Sequence, residues 1–150
     1  MSQARIAVLM AAYNAEDTIQ SAVDSILASE IPIDLYIIDD GSNIPVSDVL
    51  IDMSSNVFIH RLKKNTGLPG ALNAGLKIIL DKDYDYVARF DADDYSYPER
   101  FRVQLEYMQA HPNVKALGCW VNALGEDPNK PMFVIRHPEK HKDIFKSMYF

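Results

Sequence analysis

The sequence has a single cysteine, Cys119, so no intrachain disulfide can brace the fold, and this usage fits a reducing compartment. No apolar run approaches the ~20 residues that a helix needs to cross a bilayer. The opening, "MSQARIAVLMAAYNAED", lacks the basic start and long apolar stretch of a secretory leader. Lys and Arg number 15 against 21 Asp and Glu and are scattered along the chain, which argues against a nucleic-acid partner. An acidic surface still admits a phosphate-bearing ligand, provided that a metal ion or backbone N–H groups help to hold it. Neither G-x-G-x-x-G nor G-x-x-x-x-G-K-[ST] occurs, and no G-x-S-x-G elbow marks a serine hydrolase. His60, His111, His137 and His141 have no zinc spacing with Cys119.

What is present is enough for one ordinary domain. A chain of 150 residues, 48% hydrophobic and 24% charged, has a globular composition, and at this length about 68–70% of the unfolded surface can be buried. The apolar pattern alternates extended and helical segments. "ARIAVLM" reads as a buried strand of a parallel sheet. After it, Asn14 is placed to cap a helix with Ile19, Val23, Ile26 and Leu27 on one face. "IDLYIID" and "NVFIHRL" read as the second and third strands. Leu68, Leu72, Leu76, Ile79 and Leu80 follow helical spacing after the Gly- and Asn-rich "KKNTGLPGALNAG".

"DYVARF" is a fourth strand, and Phe101, Leu105 and Met108 mark a helix that begins near Pro98 and ends before Pro112. A strand around "VKALGCW" should follow. "VNALGEDPNKPMFVIR" reads as two extended pieces joined at "GEDPN", and "PEKHKDIFKSMYF" begins another helical pattern. Because Met148, Tyr149 and Phe150 are apolar, the chain is expected to be cut short or to be the first part of a larger protein.

Strands separated by helices of this length imply βαβ units and an α/β fold with a mostly parallel, doubly wound sheet. Ligands of such sheets bind beyond the carboxyl ends of the strands. Three polar clusters fall at such ends: Ala12-Tyr13-Asn14, Asp39-Asp40-Gly41-Ser42, and Asp91 to Asp94. Clustered carboxylates repel unless a cation or hydrogen bonds compensate, and a hard divalent ion takes oxygen ligands. On residue type alone, a solvated turn capping the next helix explains Asp91, Asp93 and Asp94 equally well. An EF-hand loop is excluded, since Ser96 stands where Gly is required and Arg102 where the bidentate Glu belongs. Glu126-Asp127, between Gly and Pro neighbours, reads as a hairpin turn.

Four stretches, "VLMAAYNAEDTIQSAVDSIL", "LYIIDDGSN", "NTGLPGALNAGL" and "VARFDADDYSYPERF", run in this order from residue 8 to 101. Together they resemble family 2 of the GT-A glycosyltransferases, which are inverting nucleotide-sugar transferases. Ala11 and Ala12 depart from the family pattern where Pro or a hydroxyl residue is common, as do Ser29 and Glu30 after the first helix. The resemblance implies a nucleotide-sugar-binding GT-A domain over 1–150, cut off before the acceptor-binding region, with a Rossmann-like, mostly parallel sheet flanked by helices.

It also implies roles. A UDP-sugar or related donor would be bound by Ala12, Tyr13, Asp40, Gly67, Asn73, Asp91 and Asp93, with Tyr13 near the base, Asp40 hydrogen-bonded to it and Asp39 structural. Mg2+ or Mn2+ would be held by Asp91, Asp93 and Asp94. The reaction implied is displacement at the anomeric carbon by an acceptor hydroxyl, with inversion, in polysaccharide or glycoconjugate synthesis. Its acceptor is a sugar, a lipid-linked glycan or a polysaccharide. The general base of the family lies in an acceptor-binding half, here beyond Phe150. The implied location is cytoplasmic, with peripheral association at the inner face of the membrane through the full-length protein. Two other readings stand beside this one: metal-dependent phosphoryl transfer on another α/β domain, and a non-catalytic nucleotide-sugar-binding fragment.

Overall fold

The structure is a computed structural model that describes residues 4–51, 53–125 and 130–147. Its elements are β1 (Ile6–Ala12), α1 (Ile19–Leu27), β2 (Asp34–Asp39), α2 (Val46–Val49), β3 (Val57–Arg61), α3 (Gly67–Leu80), β4 (Tyr86–Asp91), α4 (Arg100–Ala110), β5 (Val121–Leu124), β6 (Pro131–Ile135) and α5 (His141–Ser147). Within α4 the chain divides into two compact units, Met1–Glu106 and Tyr107–Phe150.

In the first unit β1 to β4 form a wholly parallel sheet in the order β3-β2-β1-β4. Alternate residues feed two apolar layers. Ile6, Val8, Met10, Leu35, Ile37 and Phe90 pack with Ile19, Val23 and Ile26 of α1, Val46 of α2 and Phe101 of α4. On the opposite face, Ala7, Leu9, Tyr36 and Ile38 meet Ala71 and Ile79 of α3. Helices on both faces explain why β1 and β2 show no polar alternation. Each fully buried large side chain contributes roughly 1.5–3 kcal/mol, and Ile26, Ile37 and Phe90 are among them.

Three sequence expectations need correction. Asn14 does not cap α1, which starts at Ile19 after Thr18; Asn14 adopts a left-handed φ of 49°, and its side-chain oxygen accepts the Asn43 N–H at 2.8 Å. In α3 Ala71, Gly75 and Ile79 are buried with Leu72 and Leu76 packed beside them, so three of the five expected face residues hold, whereas Leu68 and Leu80 are exposed. A Cβ on Gly75 would strike Leu9 Cδ1 and lie 2.8 Å from Ile38 Cγ1, so the helix sits too close to the sheet for a larger residue. Finally, residues 114–120 form no strand and are mostly exposed. Apolar content without a neighbouring edge makes no ladder, and β5 begins only at Val121. The short α2 was not foreseen; it lies directly after the expected "DGSN" turn.

The second unit contains the antiparallel pair β5 and β6, with Val121 opposite Ile135, Asn122 opposite Val134 and a register shift between Ala123 and Leu124. These are the two extended pieces expected. Their turn, with Glu126 and Asp127, lies outside the described residues. Trp120 Nε1 donates to the His137 carbonyl at 3.1 Å, and α5 occupies part of the predicted helical tail. No helix among the described residues is long and apolar enough to cross a membrane.

Candidate functional site

The strand order fixes where a ligand can sit. β2 and β3 are added on one side of β1, and the chain then returns to place β4 on the other side. That reversal opens a crevice at the carboxyl ends of β1 and β4, where α/β sheets of this kind bind ligands. Register brings the three polar clusters to this edge: Ala12 lies beside Asp39, and Ala11 beside Asp91. A shallow depression lined by Arg5, Ile6, Pro32, Ile33 and Asp34 lies at the amino ends of β1 and β2 instead.

The two aspartates that follow one another at the end of β2 have different tasks. Asp39 is fully buried. Its carboxylate accepts the N–H groups of Ser42 at 2.8 Å and Val46 at 3.2 Å, and pairs with Arg61 Nη1 at 2.5 Å. Burial alone would raise its pKa, but hydrogen bonds from Ser42, Val46 and Arg61 outweigh it and hold the carboxyl below its ordinary value. Asp40 is almost as buried, and its Oδ1 accepts both the N–H and the hydroxyl of Thr66, each at 2.8 Å. Its Oδ2 carries no hydrogen bond among the described residues.

The backbone holds these groups in place. The Asp40 N–H donates to the Ala12 carbonyl at 2.8 Å, and the Asn14 N–H donates to Ser42 Oγ at 3.0 Å. Ala12 is buried, so it shapes the edge through its backbone, while Tyr13 is 50% exposed at the mouth. Gly41 has φ 75°, and a Cβ there would lie 2.8 Å from the Lys64 carbonyl carbon; only glycine lets the β2 turn meet the loop before α3. Gly67 opens α3 at φ 76°. Asn73 is exposed and two residues on from Ala71 along α3, about 200° around the helix from the stripe that packs on the sheet.

The aspartate turn is anchored at both ends. Ala92 enters the core, and the N–H of buried Ser96 donates to Ser25 Oγ of α1 at 3.0 Å. Between these anchors Asp93 and Asp94 are exposed. Although Asp94 is exposed at the surface, crowding of its carboxyl by the turn strips some of its water, and this, then the charges of Asp91 and Asp93, pushes the carboxyl above its ordinary value, while Arg100 and Arg89 pull it back. Asp91 faces Arg89, whose Nη2 lies 2.6 and 2.9 Å from its two oxygens. No group of three or more His, Cys, Asp or Glu side chains is arranged to hold a metal ion among the described residues. Asp91, Asp93 and Asp94 are thus not gathered as a three-aspartate cage, and a cation held here would need one or two of these carboxylates together with phosphate oxygens.

Sequence reasoning placed Ser42 in the polar cluster after β2 but missed the supporting residues Arg61, Thr66, Ser25 and Arg89. Arg61 had a readable signal, since parallel pairing of β2 with β3 puts it opposite Asp39. Thr66 and Ser25 had none, because their partners are remote in sequence.

The profile of the family described as "Glycosyl transferase family 2" matches residues 7–147. The chain belongs to that family. A relative with a stated role, the amylovoran biosynthesis glycosyltransferase AmsE of Erwinia amylovora, is 35% identical over 123 residues, covering 76% of this chain and 44% of its own length. The family 2 chain thus spans less than half of that relative. Among solved structures, S. aureus TarS 1-349 in complex with UDP-GlcNAc superposes with a TM-score of 0.61 at 22% identity, over 72% of this chain and 32% of TarS. The mannosyltransferase PcManGT of Pyrobaculum calidifontis, in complex with GDP-Man and Mn2+, gives 0.61 at 18% identity, over 75% and 34%. These likenesses support the GT-A fold expected from the four motifs.

Proposed function

We propose that this family 2 chain binds a nucleoside-diphosphate sugar at the β1–β4 crevice and supplies the donor half of an inverting glycosyl transfer. The observation that carries the reading is the convergence of Tyr13, Asp40 and the aspartate turn on one sheet edge, in a chain whose family is that of glycosyl transferases. The family match favours glycosyl over phosphoryl transfer. A UDP-sugar is the preferred donor, and a sugar, lipid-linked glycan or polysaccharide hydroxyl the acceptor. The amylovoran relative supports a place in polysaccharide synthesis.

The chain's own groups divide the work of donor binding. The half-exposed Tyr13 ring offers an apolar face to the base. The free Oδ2 of Asp40 accepts a base N–H, with Thr66 fixing the carboxylate in orientation. The loop from Asn65 to Gly67 brings backbone close to the donor without side-chain bulk. Asp91, Asp93 and Asp94 are the carboxylates from which one or two would hold Mg2+ or Mn2+, which, when bound, neutralises the charge that develops on the departing diphosphate. That charge is the main obstacle to cleaving the anomeric bond, so the acceptor's proton can be removed by a base located elsewhere.

Thermal unfolding with UDP and GDP, each with and without Mn2+, tests this reading. The melting temperature should rise with one nucleotide only when metal is present. No rise with either nucleotide and metal would overturn it. Sugar release from UDP-GlcNAc or GDP-mannose then separates a transferase from a binding fragment.

A further inference from the structure

Arg89 lies two residues before Asp91 on β4, so both side chains stand on the same face of the strand. A single nitrogen, Nη2, lies 2.6 Å from Oδ1 and 2.9 Å from Oδ2 of Asp91. It therefore straddles the mouth of the carboxylate, which is also where a chelated cation would sit. Nη1 and Nε of Arg89 carry no hydrogen bond among the described residues, leaving the outer edge of the guanidinium fork free. Both side chains are solvent-accessible, at 55% for Arg89 and 37% for Asp91, so the pair holds by a factor of about five at most. It is well suited to exchange.

We propose that Arg89 is a resident counter-cation: it holds Asp91 while the site is empty, then yields it to the incoming metal and turns its guanidinium onto the donor diphosphate. This rests on the donor-binding reading above. The exchange conserves charge pairing, because Asp91 passes from guanidinium to metal as the diphosphate arrives to take the guanidinium. A planar fork with unused N–H groups matches phosphate oxygens, which a lysine would meet only as a point charge. The exchange makes metal and nucleotide mutually dependent, since each removes the other's obstacle, and that coupling must be reciprocal.

The test is Mn2+ binding followed by electron paramagnetic resonance of the free ion, alone and with saturating UDP or GDP, in wild type and Arg89→Gln. Arg89→Gln should bind Mn2+ alone roughly twofold to fivefold more tightly. The tightening of Mn2+ by the nucleotide should shrink by about tenfold. Arg89→Lys should keep the weak metal binding of wild type and still lose most of the nucleotide effect. If wild type shows the nucleotide effect and Arg89→Gln shows it undiminished, or binds Mn2+ alone no better, the role of Arg89 is overturned and the donor reading stands. If neither nucleotide affects Mn2+ binding by wild type, both fall.

Discussion

Asp40 and Thr66 are joined twice: one carboxylate oxygen accepts both the backbone N–H and the hydroxyl of the threonine, each at 2.8 Å. The pair ties the end of β2 to the residue before α3, across 26 positions of sequence, and it leaves the second carboxylate oxygen for a ligand. Thr66→Val removes the hydroxyl donor and keeps the shape. Urea unfolding should show a loss of about 1 kcal/mol, with weaker nucleotide binding, and Thr66→Ser should restore both.

Asp39 makes the opposite use of its carboxylate, spending both oxygens on the protein. Its folded pKa is depressed below the ordinary 3.8, so its ionised form stabilises the fold above that value, and the contribution fades as pH falls through the depressed one. Asp39→Asn should therefore lower stability at pH 7 by about 2–4 kcal/mol, less than for a fully buried pair because Arg61 is partly exposed. The gap between variant and wild type should narrow as the pH drops below the ordinary carboxylate range. Unfolding curves at neutral and acid pH measure it.

Gly75 sets the distance of α3 from the sheet. Gly75→Ala gains helix propensity of up to ~1 kcal/mol, yet its methyl group meets Leu9 and Ile38, and overpacking costs about 1–3 kcal/mol. The expected outcome is a net loss, read as a lower midpoint in denaturant, and a larger one for Gly75→Val.

The aspartate turn should trade fold stability against ligand binding. Asp94→Asn removes a carboxyl that its neighbours repel, so the metal-free melting temperature should stay level or rise slightly while the Mn2+-dependent nucleotide shift falls. Asp93→Ala should abolish that shift, and Glu126→Ala should leave it intact.

The sheet was legible because its strands are short apolar runs ended by polar turns, and the helices because their spacing is regular. What sequence could not convey was closeness. On α3 the expected Leu72, Leu76 and Ile79 do pack in the sheet-facing cluster, but Ala71 and Gly75, which lie among them and are buried as well, were not expected, because small residues carry little pattern signal. Residues 114–120 had strand composition and gained no pairing partner. In the site, residue type picked out Asp40 and the aspartate turn; strand alternation puts Arg89 and Asp91 on one face, but only the rotamers show that the guanidinium reaches the carboxylate. Asn73 belonged to the motif in sequence, and α3 turns it outward.

The carboxyl edge at β1 and β4 should hold a nucleoside diphosphate through a divalent cation. Amide NMR spectra of the 15N-labelled chain with UDP or GDP and Mg2+, then with traces of Mn2+, test it most directly. Shifts are expected at Tyr13, Asp40 and Thr66, with Mn2+ broadening centred on Asp91 to Asp94. Broadening centred elsewhere, or shifts confined to the depression around Arg5 and Ile33 at the opposite end of the strands, would contradict it.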